Sequence, residues 1–182
     1  AVCTVRPIEQ AWIYDLDQTS VEKFINDMAD KGPIPRDLRA AKTPQQAVEN
    51  ADVICTATTA TSPVFPDEPV KPGTHINGVG AYTLEMVEVP PETIGRSSVY
   101  VDSVEAVLEE AGDVVAALNE NLVRQQDWVE LGHVVEDQSL GRSSDDEITF
   151  FKSVGVAVQD AIAAQLALHN AEQEGFGQQV AW

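Results

Sequence analysis

The chain alternates short apolar stretches with segments whose apolar residues recur at helical spacing, and this alternation limits the folds it can adopt. The run "DVICTAT" at residues 52–58 is almost entirely β-branched or apolar, as in parallel strands that are buried on both faces. Residues 20–30 place four apolar side chains on one helical face: Val21, Phe24, Ile25 and Met28. Short strands separated by such helices predict a doubly wound α/β sheet.

Between residues 8 and 110 the pattern predicts the order strand, helix, strand, helix, strand, strand, strand, helix. Ser20 is the expected cap of the first helix, and Thr43 followed by Pro44 predicts the start of the second. Apolar and small residues then run from 148 to 168 and predict one long, largely buried helix. Gly155 would lie inside that helix, which favours a close backbone contact at this position.

The charge balance excludes several classes of partner. The chain has 30 Asp and Glu residues against 11 Lys and Arg residues, a formal net charge of -19. Such a surface repels phosphate backbones and anionic lipids, so we expect no nucleic acid and no membrane among the partners. No secretory signal is visible. Cys3 and Cys55 lie in apolar contexts that favour reduced thiols, and we therefore expect a cytoplasmic protein.

The sequence predicts no metal site. His133 and His169 have no cysteine or carboxylate at ligand spacing, and the acidic segment "VEDQSLGRSSDDE" lacks the periodicity of a calcium-binding loop. His75 lies in a predicted strand and is expected to be a packed core histidine.

The first apolar stretch, residues 11–14, ends at Asp15. In dinucleotide-binding units an acid at the end of the second strand binds the ribose, about 20 residues after a glycine-rich phosphate loop. None of the fourteen residues before Asp15 is a glycine, so we expect the loop and the first strand to lie upstream of Ala1. The neighbours of that strand would then have unpaired edges. A partner's strand, re-pairing of the two neighbours or a swapped dimer could fill the gap, which favours a homo-oligomer or swapped dimer.

Four segments carry a resemblance to a known family: "ADVICTATTATSPVF", "KPGTHINGVGAYTLEMVEV", "VYVDSVEAVLEEAGDVV" and "TFFKSVGVAVQDAIAAQLA". In this order they resemble successive signatures of the ornithine cyclodeaminase/mu-crystallin family, and "PIEQAWIYDLD" resembles its strand-two region. The resemblance implies a Rossmann-like, open, mostly parallel sheet that lacks its first strand. Residues 1–140 would form this truncated dinucleotide-binding domain, and residues 141–182 a long C-terminal helix packed on it.

The resemblance also implies a cofactor site made of six residues: Asp15, Thr56, Thr58, Val79, Gly80 and Ser153. Asp15 would accept hydrogen bonds from the ribose hydroxyls and repel a 2'-phosphate, so NAD is expected rather than NADP. Asp17 is the alternative acid. Small residues within Asn77–Gly80 would let the flat nicotinamide approach the backbone, and Val79 and Gly80 would be its neighbours.

The catalytic residues stay unknown, because Tyr82 occupies the position where ornithine cyclodeaminases have their proton-transferring aspartate. A phenol cannot replace a carboxylate base near neutral pH, so cyclodeamination is not expected. One hypothesis is an NAD(P)-dependent oxidoreductase, such as an imine (ketimine) reductase or an amino-acid dehydrogenase, acting on small imino or amino acids. The chain alone would be a truncated form without turnover. The other hypothesis is a non-catalytic module for nucleotide binding or self-association. The few local cations are Lys71, Arg96 and Lys152, and only Lys152 is near a family motif.

Overall fold

The computed structural model describes residues 1–178 and 180. Within this part the strands are β1 (Gln10–Ile13), β2 (Asp37–Ala40), β3 (Val53–Thr56), β4 (His75–Gly78), β5 (Ser98–Val101), β6 (Val129–Glu130) and β7 (Thr149–Lys152). The α-helices are α1 (Val2–Val5), α2 (Gln18–Met28), α3 (Pro44–Val48), α4 (Pro91–Gly95), α5 (Val104–Glu110), α6 (Gly112–Asn119), α7 (Leu131–Glu136) and α8 (Ala157–Glu174). Short 3₁₀ helices span Gln125–Asp127 and Gln138–Leu140.

The described strands form two sheets in which every pair is parallel. One sheet has the order β1-β2, and the other has the order β3-β4-β7-β5-β6. This arrangement confirms the predicted open α/β architecture. β1 and β3 belong to different sheets, and within the described residues each pairs on one side only. β1 and β3 have therefore not paired with each other. This excludes one of the three expected ways of pairing the backbone groups at their free edges.

The prediction of one buried helix over residues 148–168 was wrong. Residues 149–152 form β7, which lies between β4 and β5 in the larger sheet, with Phe150 fully buried. α8 begins only at Ala157 and contains no buried residue. The expected unit 141–182 thus contributes a central strand as well as a helix, and its residues 179, 181 and 182 lie outside the described residues. The two aromatic residues of β7, Phe150 and Phe151, suit a strand, but a strand of four residues is too short to show a period.

Glycine and cap residues explain where several elements begin and end. Gly155 precedes α8 with φ +88°, and an added Cβ would meet nothing within 4 Å. Its role is therefore a left-handed backbone turn and not the close contact that we expected. Thr43 accepts a hydrogen bond from the Gln46 amide ahead of α3, as predicted. The expected cap of α2 was wrong, because Asp17 rather than Ser20 accepts the bond from the Thr19 amide.

The core lies between the larger sheet and its helices. Ile76 and Val101 on the strands are fully buried, as are Val107 and Val114 on α5 and α6. Each such side chain stabilises the fold by about 1.5–3 kcal/mol relative to an exposed one. This packing fixes the strands whose carboxyl ends carry the candidate site.

Within residues 1–178 and 180, the helices fall short of the length and apolar character required to cross a bilayer.

Candidate functional site at the carboxyl edge of the sheet

The carboxyl ends of β3, β4 and β7 meet at one edge of the larger sheet because these three strands are parallel neighbours. The Val79 amide donates to the carbonyl oxygen of Thr56 at 3.0 Å, and the Ser153 amide donates to that of Gly78 at 3.2 Å. Five of the six expected site residues therefore gather at this edge: Thr56, Thr58, Val79, Gly80 and Ser153. Ligands of open α/β sheets bind outside the carboxyl ends of the strands.

Asp15 follows β1 in the smaller sheet and is exposed. One of its carboxylate oxygens accepts from the Asp17 amide at 2.8 Å, and within the described part of the chain the other has no hydrogen bond to protein. Asp17 uses both oxygens at the start of α2, where they accept from the Thr19 amide and the Ser20 hydroxyl. These bonds lower the pKa of Asp17, and the bond from the Ser20 hydroxyl contributes most. Of the two candidate acids, Asp15 has the oxygen available for a ligand.

A buried carboxylate, that of Glu88, joins the ends of β3 and β4. Its Oε1 accepts from the Thr58 amide. Its Oε2 accepts from the Gly80 amide at 2.7 Å, the Ala81 amide at 3.1 Å and the Thr56 hydroxyl at 3.0 Å. Four donors therefore converge on one side chain that is fully buried, which satisfies a group whose burial without partners would be costly.

A second carboxylate, that of Asp102, holds the loop after β7. Its Oδ2 accepts from the Ser153 hydroxyl at 2.9 Å and from the amides of Val154 at 3.0 Å and Gly155 at 2.9 Å. The Ser153 hydroxyl therefore donates inward, and its oxygen retains lone pairs that can accept a bond from a ligand.

Lys152, the last residue of β7, lies beneath this edge. Its side chain is fully buried, and its Nζ is 3.7 Å from Oδ2 of the equally buried Asp113 on α6. Burial lowers the pKa of Lys152, whereas the carboxylates of Asp113, Glu88 and Asp102 oppose that change. Burial also raises the pKa of Asp113 to about 6, with Lys152 opposing. The buried ammonium group of Lys152 is thus paired with the buried Asp113 carboxylate beneath the site.

Two glycines at this edge have no room for a side chain. A Cβ on Gly80 would overlap the backbone of Thr58 and the Glu88 carboxylate. A Cβ on Gly78 would lie 2.8 Å from the Phe150 ring. By contrast, Val79 between them is 52% exposed.

Glu88, Asp113 and the burial of Lys152 were not predicted from the sequence. A signal for all three exists: each is a charged residue inside an apolar run, "MVEV", "GDVVAAL" and "TFFKSV", and charged residues are almost never fully buried unless they are paired. His75, which we expected to be a packed core histidine, is only partly buried and bonds to Thr149 and Asn77. Within residues 1–178 and 180, no group of three His, Cys, Asp or Glu side chains is placed to hold a metal ion.

The fold and the site define the chain as a Rossmann-like α/β protein with a ligand edge at its strand ends. It belongs to the ornithine cyclodeaminase/mu-crystallin family, whose model matches residues 1–175.

Relatives and solved structures agree with this membership. A Δ1-pyrroline-2-carboxylate reductase of Bacillus cereus is 37% identical over 182 residues, which cover 99% of this chain and 55% of the relative. The ketimine reductase mu-crystallin of Macropus fuliginosus is 40% identical over 154 residues, which cover 85% of this chain and 45% of the relative. The structure of Thermococcus litoralis Δ1-pyrroline-2-carboxylate reductase with NADH and L-proline superposes with a TM-score of 0.93 at 38% identity, covering 98% of this chain and 55% of that one. The chain spans about half the length of the curated relatives that it matches.

Proposed function

We propose that the carboxyl edge binds NAD(H) and that the protein acts in the reduction of small imino acids. The observation that carries the proposal is the convergence of Thr56, Thr58, Val79, Gly80 and Ser153 at one edge, in a chain whose relative of similar structure holds NADH. The residues fit the cofactor: Gly80 presents bare backbone, and Ser153 presents an acceptor oxygen.

Asp15 supports a preference for NAD over NADP. Its carboxylate has an oxygen available and lies in solvent at the end of β1, where an acid accepts hydrogen bonds from ribose hydroxyls. A 2'-phosphate at the same place would be repelled by the negative charge. Asp17 is less suited, since both its oxygens cap α2.

The substrate class follows from the relatives and from Tyr82. Two of the relatives are named as reductases of Δ1-pyrroline-2-carboxylate and of ketimines, so we propose a small imino acid as substrate. Bound nicotinamide would supply the hydride for its C=N bond. Tyr82 is 52% exposed beside Gly80 and Ala81 and provides no carboxylate there, which disfavours cyclodeamination.

We further propose that the 182-residue chain binds the cofactor without turning over an imine by itself. The carboxylate of an imino acid requires a cation, and the three cations considered from the sequence are engaged elsewhere. Lys71 and Arg96 precede β4 and β5, at the opposite edge, and pair with Asp52 and Asp67. Lys152 is buried against Asp113.

The test is a titration of the chain with NADH and with NADPH, followed by fluorescence of Trp12. This indole lies on β1 with the Arg39 guanidinium 5.4 Å from its ring centre, two residues before the turn that carries Asp15. We expect saturable binding of NADH below millimolar concentration and weaker binding of NADPH. Addition of Δ1-pyrroline-2-carboxylate should then leave the near-ultraviolet absorbance of NADH unchanged. A Trp12→Phe variant identifies the signal, and absence of saturation at millimolar NADH contradicts the proposal.

A second candidate function is self-association, favoured by the surface of α8. Val158, Ile162 and Leu166 recur at four-residue spacing and are 58–61% exposed, so one stripe of the helix is apolar and faces solvent. A second copy of the chain could cover it. Light scattering after size exclusion should show an oligomer that Ile162→Asp dissociates, whereas a monomeric wild type excludes this function.

A further inference from the structure

Glu88 does not line the proposed cofactor site, although it contacts both loops that do. The carboxylate is fully buried, with Oε1 bonded to the Thr58 amide and Oε2 bonded to the Gly80 and Ala81 amides. Thr58 follows β3, whereas Gly80 and Ala81 follow β4. The side chain thus sets the spacing between two loops of different strands.

The backbone of Glu88 is itself fixed. Its carbonyl oxygen accepts from the Val64 amide at 2.8 Å, and the preceding Val87 amide donates to the carbonyl oxygen of Ala60 at 2.9 Å. Thr61 and Val87 form a parallel bridge. The carboxylate is therefore held in place from behind, and the two loops are positioned against it.

All four groups that contact the Glu88 oxygens are hydrogen-bond donors, and a carboxylate oxygen is an acceptor. The Glu88 carboxylate is one of the groups that oppose the lowering of the Lys152 pKa by burial. A buried carboxylate is costly without such partners, so its presence here needs a reason.

We propose that Glu88 is a positioning residue that couples the β3 and β4 loops and thereby preorganises the nicotinamide side of the site; this rests on the proposed NAD(H) binding. Gly80 packs directly on the Thr58 backbone, so a small separation of the loops would change the surface offered to the cofactor. Preorganised backbone loses less free energy on binding than backbone that must be ordered.

Two substitutions separate this role from simple charge balance. Glu88→Gln replaces one oxygen by an amide group that cannot accept from N–H, so one of the loops loses its anchor. Glu88→Asp keeps the charge near Lys152, but it is one methylene shorter and cannot reach both loops. If Glu88 acted only as a counter-charge, the aspartate would restore wild-type behaviour. The matched control is Glu85→Gln, which removes an exposed acid from the same segment.

The experiment measures hydrogen exchange at the Thr58, Gly80 and Ala81 amides of the full chain without cofactor, and NADH affinity in parallel. We expect faster exchange, in both Glu88 variants, at the amides of the loop that loses its anchor, and NADH binding weakened at least about tenfold. Glu85→Gln should match the wild type in both measurements.

Wild-type exchange or wild-type affinity in Glu88→Asp overturns the proposal. Failure of both variants to fold also overturns it, because the role of Glu88 would then extend to the whole fold. If the wild type itself does not bind NADH, the proposed function fails, while the exchange data still decide whether Glu88 anchors the loops.

Discussion

Nζ of Lys152 lies 3.7 Å from Oδ2 of Asp113, and both side chains are fully buried. Neither atom has a hydrogen-bond partner within the described part of the chain. Lys152 also passes against Gly78, where its Cδ would be 3.6 Å from an added Cβ. The pair therefore joins β7 to α6 directly under the strand ends that carry the candidate site.

Replacing only one member of the Lys152–Asp113 pair should lower the free energy of unfolding more than replacing both members together. We expect Lys152→Met alone to destabilise the chain by about 3–5 kcal/mol, because it leaves the Asp113 carboxylate buried without a counter-charge. The double variant Lys152→Met with Asp113→Leu should cost clearly less than the sum of the single changes. Urea denaturation of the four proteins in this cycle measures the coupling, and additive free energies would show that the two groups do not interact.

Gly80 should tolerate no side chain. Gly80→Ala places a methyl group on the Thr58 backbone, so we expect the β3 and β4 loops to separate and NADH affinity to fall at least about tenfold. The same substitution at Gly132, where a Cβ meets nothing within 4 Å, lies in α7 and should be neutral or stabilise by up to about 1 kcal/mol. Calorimetric titration of both variants with NADH makes the comparison. Equal affinities would place the cofactor away from Gly80.

Asp15 should determine the choice of dinucleotide. Asp15→Asn removes the charged acceptor for the ribose, so we expect NADH affinity to fall by about tenfold or more. NADPH affinity should rise because the repulsion of the 2'-phosphate is removed. Asp17→Asn should leave the preference for NADH in place, since an asparagine can still cap α2. A switch caused by the Asp17 variant instead would assign the ribose to Asp17.

Glu147 should make stability depend on pH. Hydrogen bonds hold the pKa of Glu147 at about 2, against an ordinary value of 4.5. The bond from the Ser98 hydroxyl contributes most, and bonds from Ser143 add to it. An acid whose pKa is lower in the folded than in the unfolded state stabilises the fold at pH values above its unfolded pKa. This contribution disappears as the pH falls through the folded pKa. Glu147→Gln should therefore be less stable than the wild type at neutral pH.

The difference in the free energy of unfolding between the wild type and Glu147→Gln should narrow as the pH falls below about 4.5. Urea denaturation at neutral pH and near pH 3 measures this difference, with the exposed Glu136→Gln as control. A constant difference at both pH values would show that Glu147 acts through packing rather than through its charge.

The parts of the fold that depend on local pattern were predictable. The buried run before Thr56, the strand His75–Gly78 and the Thr43 cap are each encoded in a few neighbouring residues. β7 was not, because four residues next to an alanine-rich helix do not show a strand period. Glu88 could not be placed either, since it reaches Thr56 across 32 positions of sequence and such a contact follows only from the folded topology.

The choice between Asp15 and Asp17 also needed the structure. Both acids follow the same strand, and the sequence alone favours Asp15 only by its position. The capping bonds of Asp17 to Thr19 and Ser20 show which acid is already in use.

Hydrogen exchange of the chain with and without NADH, read by mass spectrometry, tests most directly whether the carboxyl edge holds the dinucleotide. We expect NADH-dependent protection of residues 56–58, 79–82 and 153–155, with a smaller effect around Asp15. Saturable NADH binding that leaves these segments unprotected, or that protects the opposite edge, would contradict this expectation.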